Sequence, residues 1–157
     1  MNIRRSFAPA FLLLTPLLFA PATVSAADAF PMGCVSCHTV DKATGADHRL
    51  SVALTEWTLG KIDGGLLAKA KASAPAGVTL KGKHPYAEDS LDDIPGACLD
   101  CHDSGSKKAP PFSQLLHLVH LTGANNAFVT TFKGDCTHCH KLDAKTGAWS
   151  MPSGPEQ

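Results

Sequence analysis

The chain has 157 residues, 44% of them apolar, with formal net charge zero and a pI near 7.1. The length points to one domain, the balanced charge removes the usual electrostatic case for nucleic-acid binding, and no apolar run is long enough to expect a membrane span. Only 6% of residues are aromatic, and 13 Gly and 11 Pro leave few large side chains from which to build a core.

Residues 1–26 read as a signal peptide. Arg4 and Arg5 supply the positive end, Phe11 to Ala20 the apolar stretch, and Val24-Ser25-Ala26 the small residues before a cut. Pro9 and Pro16 interrupt the segment and argue against an uncleaved anchor helix. Removing it leaves 12 basic residues against 14 acidic ones, a net charge of about −2, on an exported chain, periplasmic or extracellular. Exported proteins usually pair their cysteines as disulfides, so the spacing of the six cysteines decides whether that default holds.

The first pair is Cys34-Val35-Ser36-Cys37-His38. His48 follows ten residues after His38. Residues 50–72 are expected to form two short helices broken at Asp63-Gly64-Gly65, with Trp57 packed on a helix or a cofactor. Residues 73–83 read as a polar loop, and Lys83-His84-Pro85-Tyr86-Ala87 as a Pro-stiffened extended stretch. Glu88, Asp89, Asp92 and Asp93 form an acidic run, a solvated loop or a docking patch for a basic partner. The second pair is Cys98-Leu99-Asp100-Cys101-His102. After Pro110-Pro111, the run from Phe112 to Leu121 predicts a short helix that carries His117 and His120 at i, i+3 on one face. The third pair is Cys136-Thr137-His138-Cys139-His140.

All six cysteines and three histidines therefore fall in three copies of C-x-x-C-H, the attachment signature of c-type haem. Two thiols three residues apart can form thioethers to the two vinyl groups on one porphyrin edge, and the adjacent histidine then offers its imidazole to iron. A zinc site uses Cys-x-x-Cys pairs but has no reason to place His after each pair. A disulfide framework has none either, and a thioredoxin-like motif needs one pair in an α/β chain. The cofactor expected is three covalently attached haem c groups with their iron, held by Cys34, Cys37, Cys98, Cys101, Cys136 and Cys139. His38, His102 and His140 are the proximal metal ligands. His48, His84, His117, His120 and His138 remain for the far side of the three irons. His117 and His120 are the strongest pair, able to reach two irons from one rigid element. His138, between two cysteines, points away from their ring and is expected to be non-ligating and exposed. Met32 and Met151 read as surface or gap-filling residues rather than ligands.

These fifteen motif residues carry a resemblance to the multihaem c-type cytochromes, here a trihaem, class III-like form. The resemblance implies a mainly α fold with extensive loops and little or no sheet, wrapped around a haem core. Many such cytochromes carry a His-Pro segment ahead of C-x-x-C-H in which that His is a distal ligand. By this likeness His84 is favoured over its rival His48. The stretch Cys98–His140, with C-x-x-C-H, an H-x-x-H helix, Phe132-Lys133-Gly134-Asp135 and C-x-x-C-H, resembles the haem modules of outer-surface decahaem metal-reducing cytochromes. There both helix histidines are distal ligands, which carries over to His117 and His120. Three haems instead of ten, and no room for that family's β-domains, mean that mineral reduction is not implied.

A weak internal repeat accompanies the motifs. His38-Thr39-Val40-Asp41-Lys42-Ala43-Thr44-Gly45-Ala46 lines up with His140-Lys141-Leu142-Asp143-Ala144-Lys145-Thr146-Gly147-Ala148. The domain boundaries expected are 27–149 for the trihaem unit and 150–157 for a flexible tail. Three pairs of propionates would bring the oxidised holoprotein to about −5. Bis-histidine iron suits electron relay, so the function expected is an electron carrier between redox protein partners, without catalytic residues. A haem reductase with one open iron, or a subunit of a larger multihaem assembly, is the alternative.

Overall fold

The computed structural model describes residues 33–156. The segment read as a signal peptide, and Met32, lie outside the described residues. The chain is mainly helical with little sheet, the coarse fold that the resemblance implied. Its elements in order are α1 (Cys34–Cys37), α2 (Leu50–Thr58), α3 (Gly64–Ala72), a 3-10 turn (Glu88–Asp92), α4 (Leu99–His102), α5 (Phe112–Leu121), α6 (Ala127–Thr130), a second 3-10 turn (Cys136–His138) and a minimal hairpin, β1 (Lys141–Leu142) with β2 (Trp149–Ser150).

The predicted pair of helices over residues 50–72 is α2 and α3, but the break falls at Leu59–Asp63 and the two glycines open α3. Asp63 decides this: its carboxylate accepts from the Leu66 N–H at 2.9 Å, a cap on the N-terminal donors that have no helical partner. Helix α5 starts where Pro110-Pro111 leave off, and the Pro111 carbonyl accepts from Gln114 and Leu115. Its C-terminal end is tied from two sides. Lys69 of α3 donates to the carbonyls of Val119 (3.2 Å) and Thr122 (2.9 Å), and Asn126 donates to the same two at 2.6 and 3.1 Å. Asn126 also caps α6 through Phe128 N–H. One asparagine thus fixes the angle between α5 and α6.

The repeat in the sequence is a repeat in the structure. After each of the first and third motifs the chain makes the same turn. Asp41 takes Ala43 N–H at 2.8 Å and the Thr44 hydroxyl at 2.7 Å, and its N–H donates to Ala46. Asp143 takes Lys145 and Thr146 N–H at 2.8 and 3.1 Å, and its N–H donates to Ala148. Gly45 and Gly147 close the turns at φ +73° and +71°, a region that other residues enter only at a cost.

The segment read as a tail carries hydrogen bonds to the rest of the domain. Ile94 and Gly154 exchange backbone hydrogen bonds, Glu156 N–H donates to Leu91, and the Glu156 carboxylate accepts from Ser51 N–H at the start of α2. Proline and glycine favour irregular backbone, but irregular backbone still pairs when a partner strand lies beside it.

The protein's own side chains make almost no hydrophobic core. Among the described residues Ile94 is the one buried large apolar side chain, at 2% exposure. Ser73 and His138 are the buried polar side chains among the described residues.

Candidate functional site

The three motif histidines each face one further histidine. The ring centres of His38 and His120 are 6.2 Å apart, those of His102 and His84 6.0 Å, and those of His140 and His117 6.2 Å. A metal–imidazole bond is about 2 Å and the ring centre lies about 1.2 Å behind the bonding nitrogen, so two imidazoles on opposite sides of one metal have centres about 6.3 Å apart. The planes are crossed at 86° in the first pair, nearly parallel at 9° in the second and at 57° in the third.

Helix α5 organises this arrangement. His120 faces the first motif and His117 the third, three residues apart on one helix, and Phe112 at its start lies 4.7 Å from His102 of the second. The first and third motifs are also joined directly, since Gly33 N–H donates to the His138 carbonyl at 2.8 Å. His84 comes from outside any helix or strand, and its own N–H donates to the Trp57 carbonyl at 3.1 Å. Trp57 lies 6.3 Å from the His84 ring, centre to centre.

Hydrogen bonding fixes the tautomer of four of the six rings. The Nδ1 of His38 meets the His48 carbonyl at 3.0 Å, that of His102 the Pro110 carbonyl at 2.6 Å, that of His84 the Pro85 carbonyl at 2.7 Å and that of His120 the Leu116 carbonyl at 3.0 Å. A carbonyl only accepts, so Nδ1 carries the proton and Nε2 keeps its lone pair for another partner. Burial lowers the pKa of His38 and of His102, against the smaller opposing pull of those carbonyls. Burial thus biases both rings toward the neutral form that a metal requires.

His48, the rival to His84, is exposed and contributes its carbonyl, not its ring, to the first site. His138 corrects an expectation. It is buried at 6% exposure, edge-on to Phe128 and Phe132 at 6.0 and 5.6 Å. Its ring packs on Phe128 of α6 and on Phe132 just beyond that helix rather than facing water. Phe128 in turn lies 5.8 Å from His120, so α6 backs the first pair. The sequence reading missed Phe112, Phe128 and Asn126. A single aromatic on each short helix was the available signal.

The six cysteines are free thiols, and none is disulfide-bonded. Burial raises the pKa of Cys34 to about 11, with Cys139 of the third motif as the next cause, and burial raises Cys37, Cys98 and Cys139 as well. Cys98 of the second motif acts on Cys34 as a smaller cause in the same direction. Among the described residues no three His, Cys, Asp or Glu side chains converge on one point as a metal cage needs. Two imidazoles and two thiols match the ligand count of a tetrahedral zinc site, but among the described residues they do not converge on one point. They do suit haem c, whose porphyrin supplies four nitrogens and leaves two axial positions.

Among the described residues no helix is long and apolar enough to cross a membrane. No family model matches this chain, and no curated protein or solved structure is detectably similar to it.

Proposed function

We propose that this chain is a trihaem c-type cytochrome that carries electrons between redox proteins outside the cytoplasm. The observation that carries the reading is the pairing of the six imidazoles, each motif histidine with one of His84, His117 and His120, at 6.0 to 6.2 Å. Cys34 and Cys37, Cys98 and Cys101, and Cys136 and Cys139 would hold the three porphyrins as thioethers. His38 with His120, His102 with His84, and His140 with His117 would supply the axial nitrogens.

The near-absence of a protein core supports the same reading. Among the described residues one large apolar side chain is fully buried, which does little to offset the entropy of folding. Three porphyrins wrapped by α5 and the loops provide the missing apolar surface. Covalent attachment lets short helices and turns do the holding.

When bound, haem supplies one-electron chemistry at iron. The chain's part is to keep both axial positions filled with neutral histidine, to fix ring orientation through backbone carbonyls, and to pack the sites round one helix. Filling both positions would favour low potential and little rearrangement, which suits a carrier better than a reductase. Residues 84–106 carry six carboxylates and no Lys or Arg, which favours partners with a basic docking patch.

The test is to produce the full chain in a haem-maturing host. Its mass and its pyridine haemochrome absorbance should both give three haems per chain. EPR of the oxidised protein should give low-spin ferric signals only, and three of them, since the ligand planes differ. His117→Ala and His120→Ala should each add one CO-binding haem. A colourless product, or one that binds zinc through its cysteines, overturns the proposal.

A further inference from the structure

The three candidate axial histidines outside the motifs are not held alike. His117 and His120 sit within α5, whose end is tied by Lys69 and Asn126. Both are carried on backbone that is hydrogen-bonded through the helix, so moving that backbone for one disturbs the other. His84 lies in residues 79–87, which form no helix or strand. Of the backbone N–H groups in that stretch, only that of His84 donates to another backbone carbonyl. Gly82 sits at φ +74°, Tyr86 is 69% exposed, and a groove of about 220 Å³ separates Tyr86, Ala87 and Glu88 from Leu54 and Thr58 of α2. Opening this stretch breaks one backbone hydrogen bond and has space to move into. On the opposite side His102 is clamped by the Pro110 carbonyl and by Phe112. Segments with few backbone hydrogen bonds and exposed side chains open at a small fraction of the free energy of global unfolding.

Resting on the trihaem reading, we infer that His84 is a displaceable ligand, and that the second motif's site admits a small neutral diatomic ligand in its place. One nitrogen ligand leaves, one new ligand arrives, and no electron or proton is transferred. Charge selects the class. Glu88, Asp89, Asp92, Asp93, Asp100 and Asp103 flank the site in sequence with no Lys or Arg between Lys83 and Lys107, so anions such as nitrite or azide are repelled and neutral molecules are not.

Carbon monoxide on the dithionite-reduced full-length holoprotein is the probe. The unchanged protein and His84→Ala should each bind one CO per chain with the same difference spectrum, and His117→Ala and His120→Ala should bind two. The rate in the unchanged protein should level off at high CO, because opening limits it, and His84→Ala should bind roughly tenfold faster or more. Hydrogen exchange on the unchanged protein gives a second measurement: CO should deprotect residues 79–87 and leave α5 as it was. Nitrite or azide should leave the oxidised low-spin spectrum unchanged. No CO uptake by the unchanged protein, two CO on His84→Ala, deprotection of α5 instead, or uptake of the anions overturns the inference. A count of three haems with no CO uptake overturns it alone, whereas a chain without haem overturns the reading beneath it.

Discussion

Helix α5 and the stretch 79–87 do the same job by opposite means. Each presents histidine to a motif histidine at about 6 Å. The helix presents two from one rigid element, capped from α3 and from Asn126, and meets all three motifs along ten residues. The loop presents one, from extended backbone held by a single backbone hydrogen bond to Trp57. Regular structure couples sites to one another, and irregular structure isolates one. Damage to α5 should therefore spread, and damage to the loop should not.

The largest expected effect comes from Leu116→Pro. Proline inside α5 removes a helix hydrogen bond and clashes with the preceding turn, at a cost of about 3 kcal/mol or more. His117 and His120 lose their seats together, so two of three low-spin EPR components should vanish while the near-parallel His84/His102 component remains. Loss of only one component would break the comparison.

Asn126→Ala comes next. It removes two hydrogen bonds to the end of α5 and the cap of α6. A loss of about 1–2 kcal/mol is expected by denaturant titration. The spectral change should centre on the His38/His120 site, which Phe128 backs, and spare the second site.

Gly82→Ala tests the loop. At φ +74° an alanine pays roughly 1 kcal/mol of left-handed strain, and its added carbon would meet only Leu67 at 3.4 Å. CO uptake should quicken several-fold with the α5-borne components unmoved. A change in the His38/His120 signal would show that the loop is coupled to the helix after all.

The smallest effect concerns the twin turns. Hydrogen bonds from neighbouring N–H and hydroxyl groups hold Asp41 and Asp143 below the ordinary carboxylate pKa. A carboxylate with a lowered folded pKa contributes its stability in full above the unfolded value, about 3.9, and loses it as pH falls through the folded value. Amide exchange in residues 41–46 and 143–148, corrected for intrinsic rates, should thus stay flat down to about pH 4 and quicken below it in both turns alike.

Local chemistry is written in order along a chain, and so the three C-x-x-C-H motifs, the helix from Phe112 to Leu121, the two helices over residues 50–72 and the paired Asp-x-x-Thr-Gly turns were legible without a structure. Each depends on residues a few positions apart. Three things were not legible, because each depends on which distant segments lie side by side. One is the partner each histidine finds: His120 turns to His38, eighty-two positions back, while His117 turns to His140, and nothing at i, i+3 spacing decides between them. Another is where the tail lies: its Gly154 pairs with Ile94 and its Glu156 accepts from Ser51 N–H, partners that its own residues do not name. The last is the burial of His138, which packs on Phe128 and Phe132 because the chain folds back at Lys133-Gly134. Spacing determined which atoms are available for the chemistry. The tertiary structure determined their pairing, because only packing sets the distance between groups far apart in the chain.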